Sequence, residues 1–211
     1  MSGSTNARER GVALLHVVLL LAMVTAAAGG AATLARIEVH LSQFQRGERE
    51  AAYAAQAMLA ATIHELDRTE NWDSVLSGVT HAGFADGPNT VARQIPGGGT
   101  VVVCCGTGSM TARARAGGVQ WEPYAWHSLS GLLNVPEAPR LYLAAWVSDD
   151  SDENDGNTVA DSNDRLAVRV EATSPRGVRK AFEALFERAA LDPLSGTRLQ
   201  GLRILCWHEV R

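Results

Sequence analysis

The run from Val12 to Ala35, VALLHVVLLLAMVTAAAGGAATLA, holds 24 residues without one charged side chain, and it constrains this chain more than any other feature. About 20 apolar residues in a helix suffice to cross a hydrocarbon core of about 30 Å. A cleavable export signal carries a shorter apolar stretch, about 7 to 15 residues, before a small-residue cleavage site. The alanines and glycines of TAAAGGAATLA offer such a site, but the residues beyond Ala35 favour a segment that stays. RIEVHLSQFQRGEREAAYAAQAMLAATIHELDR runs on with Ala52, Ala55, Leu59, Ile63 and Leu66 at spacings of three and four, one stripe of a helix. Helix formers dominate it, and no proline occurs before Pro88. The spacing predicts one helix from about Val12 to Asp67, about 80 Å long at ~1.5 Å per residue. Its front, 12–35, is apolar all round; its rear is amphipathic. Gly29, Gly30 and Gly47 are points where it can bend, each costing ~1 kcal/mol relative to alanine.

The rest of the 211 residues, 68–211, is the size of one globular domain. TENWDSVLSG offers Asn71 as the N-cap of a short linker helix ending near Gly78. From there the signals are for strands: TVVVCC after the turn PGGG, then RLYLAAWV, RLAVRVEAT, RKAFEALFER and GLRILCWHEV, each bounded by Gly, Pro or Asp clusters. RKAFEALFER is ambiguous. Val178, Ala181, Phe182, Leu185 and Ala189 share a helical face, whereas Phe182, Ala184 and Phe186 share one side of a strand. The turn TSPRG just before it folds the segment back on RLAVRVEAT and favours the strand. The expected class is α+β, a long N-terminal helix packed on a C-terminal antiparallel sheet.

MSGSTNARERG, a short basic hydrophilic leader ending in Gly11, followed by VALLHVVLLLAM, resembles the N-terminus of type IV pilin precursors, and the long two-part helix attached to one domain is similar to theirs. The resemblance implies cleavage between Gly11 and Val12 by a prepilin peptidase, with residues 1–11 as leader and Arg8 and Arg10 on the cytoplasmic side. It implies a subunit held in a bacterial inner membrane by a single span, then packed with other pilins through its helix in an extracellular fibre. Most pilins carry a glutamate at the fifth mature residue; here that position is His16. Absence of the glutamate is similar to PilX-type minor pilins and to some pseudopilins of secretion systems. His16 is then either a tolerated polar residue or an imidazole that bonds a neighbouring subunit. The terminal strands around VEAT, EALFER and LRILCWHEVR resemble the PilX-like sheet region more loosely. Implied roles are assembly priming or adhesion. A single-pass anchored, calcium-dependent adhesion module is the reading from another class.

The net charge of -4 gives no basic field for nucleic acid. SDDSDENDGNTVADSND, residues 148–164, concentrates acidic side chains before Arg165. Asp150, Asp152 and Asn154 alternate as calcium ligands do, and Asp161 falls at the distance of a closing ligand. The loop departs from the EF-hand pattern, because Asp155 stands where glycine belongs and no glutamate closes it. A solvated acidic loop is the competing reading. Of the three cysteines, Cys104 and Cys105 adjoin on an apparent strand, so one faces the core. Export would favour a bond from Cys206 to Cys104 or Cys105; three reduced thiols are the alternative. WEPYAW, Trp121 to Trp126, reads as core or loop anchors before a binding platform. No nucleophile elbow, phosphate loop or dinucleotide fingerprint is present, and no enzyme is expected.

Overall fold

The computed structural model describes residues 4–95, 97–105, 107–115, 118–151, 157–189 and 201–210. One helix, α1 (Ser4–Arg68), runs without a break through the predicted span and its amphipathic continuation. Short helices α2 (Asp73–Leu76), α3 (Met110–Ala114) and α4 (Leu129–Leu133) alternate with strands β1 (Arg93–Gln94), β2 (Thr100–Val101), β3 (Glu122–Ser128), β4 (Tyr142–Asp149), β5 (Arg165–Thr173), β6 (Arg179–Arg188) and β7 (Leu202–Val210). Among the described residues, β3 to β7 form one antiparallel meander in chain order, and β1 and β2 form a separate hairpin. The fold is α+β, as expected.

The chain divides into two compact units at Gly47 rather than at residue 67. The reason is that the rear of α1 belongs to the core. Ala51, Ala54, Ala55, Met58, Leu59 and Leu66 are buried with Leu143, Ala145, Val147, Leu166, Val168, Val170, Phe182, Ala184 and Phe186 from the sheet. The buried stripe is centred on Ala51, Ala55 and Met58, and the predicted Ala52 and Ile63 lie at its partly buried margins. Alanines at three of these positions let helix and sheet backbones approach closely. Trp72 seals the helix end: its Nε1–H donates to the Leu66 carbonyl at 3.2 Å, and the Arg188 guanidinium stacks 3.8 Å over its ring while donating to the Thr69 and Glu70 carbonyls. A cation at a helix C-terminus is favourably placed against the helix dipole.

The sheet is covered on both faces. Tyr142, Ala144 and Trp146 of β4 point away from α1 and pack with Ile95, Val101, Val103, Met110, Ala114, Trp121 and Trp126. This explains why YLAAWV is apolar at every position, whereas β5 alternates: a strand buried on both sides has no side to give to polar residues. Beyond the second cluster the outer face carries cross-strand ion pairs, Arg165 with Glu187 and Arg169 with Glu183, each between directly opposed residues.

The segment TVVVCC departs from its expectation. Only Thr100 and Val101 are in a strand, paired with Gln94 and Arg93 outside the meander. Gly97, Gly98 and Gly99 hold φ of +94°, +120° and +88°, a backbone path that side chains with a Cβ resist, and it turns β2 back on β1. The meander begins instead with β3, built from the aromatic run WEPYAW, where Trp121, Tyr124 and Trp126 are core residues. The N-cap of α2 is Trp72, with no side-chain cap bond, rather than the expected Asn71; Asn71 Oδ1 instead accepts the Asp73 N–H at 2.9 Å in a turn just before the helix, and Gly78 at φ +71° follows its end.

Burial pushes the phenols of Tyr124 and Tyr142 up to about 12. Tyrosines in the unfolded chain ionise at about 10. The neutral buried phenols therefore contribute stability that is complete below about pH 10 and is lost as pH rises through about 12. The urea midpoint of the protein is expected to hold steady up to about pH 9.5 and to fall above about pH 10, with a shallower fall in Tyr142→Phe.

Candidate functional site

Three groups of residues carried the functional expectations, and the structure treats them differently. The first is the front of α1. Val12 and every residue from Leu14 to Arg36 are solvent-exposed, including Leu14, Leu15, Val18, Leu19, Leu20, Leu21 and Met23. This is one helix long and apolar enough to cross a membrane. Its few polar side chains are satisfied within the helix: Thr25 donates to the Leu21 carbonyl at 2.7 Å and Thr33 to the Gly29 carbonyl at 2.9 Å. His16 behaves in the same way, its Nδ1–H donating to the Val12 carbonyl at 2.8 Å. That bond places a proton on Nδ1 and leaves Nε2 without a role inside the helix. The Gly11–Val12 junction lies inside the helix.

The second group is the acidic loop. Asp152 and Asn154 lie outside the described residues. Asp150 and Asp161 are described, in different roles. Asp161 Oδ1 accepts the backbone N–H of Asn163 at 3.3 Å and of Arg165 at 3.2 Å, and its own N–H donates to Asp73 Oδ1 at 2.9 Å. Asp161 thus shapes the turn into β5. Asp150 comes directly after β4 and is 6% exposed; its Oδ1 accepts from Asn163 Nδ2 at 2.8 Å, while its buried Oδ2 has no hydrogen-bond partner among the described residues. Among the described residues no three His, Cys, Asp or Glu side chains converge on a point where a metal ion could sit. A buried polar oxygen left without a partner costs on the order of 1–3 kcal/mol. In chelator, Asp150→Asn, which keeps the Asn163 bond and removes the charge, is expected to raise the melting temperature by a few degrees; calorimetry reads it.

The third group is the cysteines, and here the expectation is corrected. Cys104 and Cys105 are bonded to each other, and Cys206 is a free, exposed thiol on β7. The expected bond from Cys206 to either one is not made. The physical reason is topological: Cys104 and Cys105 are not on a strand of the meander but in a bend beyond β2, with Cys105 at φ +66°, while β7 is the far edge of the sheet. Cys105, Thr100, Thr107, Arg113, Thr173 and Arg179 line a cleft of about 410 Å³. Arg113 there is already paired with the buried carboxylate of Glu171 at 2.9 Å.

Glu187, drawn below the ordinary carboxylate range by hydrogen bonds from Arg203 and Arg165, is a structural anchor between strands. Lys180 is held above the usual lysine range by Glu209 in the same manner. Comparison with protein-family models, with curated proteins and with solved structures returns no match.

Proposed function

We propose that the chain is a non-catalytic minor pilin of the PilX type, a subunit that primes or tips a type IV pilus. The observation that carries the reading is the continuity of α1. Its front, from Leu14 to Ala35, is exposed and apolar apart from His16, Thr25 and Thr33, and its rear half is the core helix of an antiparallel meander. A surface of leucines, valines and alanines left exposed among the described residues needs lipid or other helices around it. Between helices in a fibre or membrane the attraction is van der Waals fit, which small residues such as Gly29, Gly30 and the neighbouring alanines permit.

In this reading the inner membrane holds the subunit before assembly, a prepilin peptidase cuts between Gly11 and Val12, and other pilins pack on the exposed helix. His16 then brings no carboxylate to the amine of a neighbour, and its Nδ1–H is occupied within its own helix. A subunit with no pilin ahead of it has no need of that charge pair, which favours the tip. N-terminal sequencing of the mature protein tests the proposal. A methylated Val12 start supports it; an intact Met1, or a start beyond the alanine-rich stretch, overturns it. Uniform labelling along the fibre would refute the tip position.

The orphan Oδ2 of Asp150 favours a second reading, a calcium-dependent stabilisation of the acidic loop in the extracellular domain. Calcium is abundant outside cells and extracellular modules bind it weakly, at about 10⁻⁴–10⁻³ M. Millimolar calcium is then expected to raise the melting temperature of the wild type but not of Asp150→Asn, and magnesium to do neither. Identical curves in calcium and in chelator exclude it.

A further inference from the structure

We infer that two copies of this chain join edge to edge through β7, antiparallel about Cys206, in a single continuous sheet that a Cys206–Cys206 disulfide locks. The inference goes beyond the pilin reading and begins with the two edges of the meander. The edge at β3 is closed: Ala82 N–H donates to the Tyr124 carbonyl at 2.9 Å and Asp86 N–H to the Trp126 carbonyl at 2.8 Å, so the segment before β1 covers it. Among the described residues the edge at β7 carries no further strand. Among the described residues its backbone bonds only to β6. It also presents Ile204 and Trp207 at 50% and 54% exposure and the free thiol of Cys206. An unpaired strand edge with large apolar side chains is a template for a further strand.

The pairing register says why that strand is another β7. Phe186 opposes Ile204, Leu185 opposes Cys206 and Ala184 opposes Trp207, so Leu205 is an extra residue, a bulge. In a regular strand, residues three apart lie on opposite faces. The bulge instead places both Ile204 and Trp207 on the face of Phe186 and Ala184, and Cys206 on the other. Cys206 is the midpoint of the nine-residue strand. Turning a second β7 about that midpoint sets Ile204 of each copy opposite Trp207 of the other, on one face, and the two thiols opposite each other on the reverse face. Arg203 of each copy, already paired with Glu187 of its own chain, then lies beside His208 of the other, whose Nε2 is 3.6 Å from Glu183. Opposed Cα atoms in an antiparallel pair stand about 4.5 or 5.5 Å apart. Both distances lie in the disulfide range of about 4.4–6.8 Å.

A single strand edge buries well under the ~1,200 Å² of a stable non-covalent complex, so the thiols decide persistence. With a small disulfide such as oxidised glutathione, one Cys206 thiolate attacks it and expels a glutathione thiolate. The second Cys206 thiolate attacks the mixed disulfide and expels the other; the protein thiols are oxidised and the glutathione disulfide is reduced. The two-fold axis is perpendicular to the sheet, so the packed helix segments 47–68 of the two copies run in opposite directions.

The test uses the full chain in enough detergent to leave about one chain per micelle, with reduced and oxidised glutathione, and non-reducing mass mapping. A Cys206–Cys206 peptide is expected, and Trp207→Ala or Ile204→Ala with Cys206 retained should slow its formation about tenfold, since cross-strand aromatic pairs act twice. With Cys206→Ser as background, mixing Ile204→Cys chains with Trp207→Cys chains should give mixed dimers in preference to like pairs. Cys206 joined to Cys104 or Cys105, an unaffected rate in Trp207→Ala, or mixed dimers at the statistical level would each overturn the inference. Failure here with a Val12 start leaves the pilin reading standing, and the converse holds as well.

Discussion

Trp146→Ala is expected to bring the domain to the edge of unfolding, with a loss of about 3–5 kcal/mol set against the roughly 5–15 kcal/mol that folded domains have. Trp146 is fully buried at the centre of β4 and is surrounded by the outer cluster of Ile95, Val103, Met110, Trp121 and Trp126. Its Nε1–H donates to Thr111 Oγ1 at 2.8 Å, and Thr111 in turn donates to the Val103 carbonyl at 2.7 Å. The short segments over the sheet are thus pinned through one indole. Urea denaturation of the full chain, monitored by far-ultraviolet circular dichroism, measures the loss. Trp146→Phe separates its parts: most of the volume is kept and one hydrogen bond is lost, so about 1–2 kcal/mol is expected. If the alanine variant were as stable as wild type, the outer layer would not be part of the core.

The second large effect concerns the leader. Under the pilin proposal, replacing Gly11 by a bulky residue such as valine is expected to abolish cleavage, leaving the whole chain in the membrane with Met1 intact. The effect is all or none, because a peptidase that recognises the residue before the scissile bond either admits it or does not. Mass measurement of the membrane-extracted protein reads the presence or absence of the first eleven residues directly. Equal processing of wild type and Gly11→Val would remove the reason for assigning a prepilin peptidase as partner.

Much of the architecture was legible because its patterns are long or strongly periodic. The apolar run and the stripe from Ala52 to Leu66 announce α1, and its break into two functional halves comes from where charged residues begin, at Arg36. RKAFEALFER, balanced between helix and strand on its own residues, becomes β6 because the turn at Ser174–Val178 lays it against β5 from Arg165 to Thr173. Less was legible between residues 88 and 128. β3 contains Pro123 and an irregular register there, so no alternation marks it as a strand. Its edge is closed by backbone bonds from a segment forty residues earlier, which no local pattern encodes.

The candidate sites divide along the same line. A helix long and apolar enough to span a membrane, an α+β domain and an acidic segment come from the sequence alone, since each depends on composition or short-range spacing. Which cysteines meet, which carboxylate is buried and which strand ends the sheet depend on packing. Cys104 bonds its neighbour because the chain leaves the sheet after Val101, and Cys206 is free because β7 is the last strand of a meander. Asp150 is the one acidic residue of its group drawn almost wholly inside among those described, since it comes directly after a strand covered on both faces. Local spacing can say what kind of element a segment becomes; only the assembled layers decide which of its atoms are left without a partner.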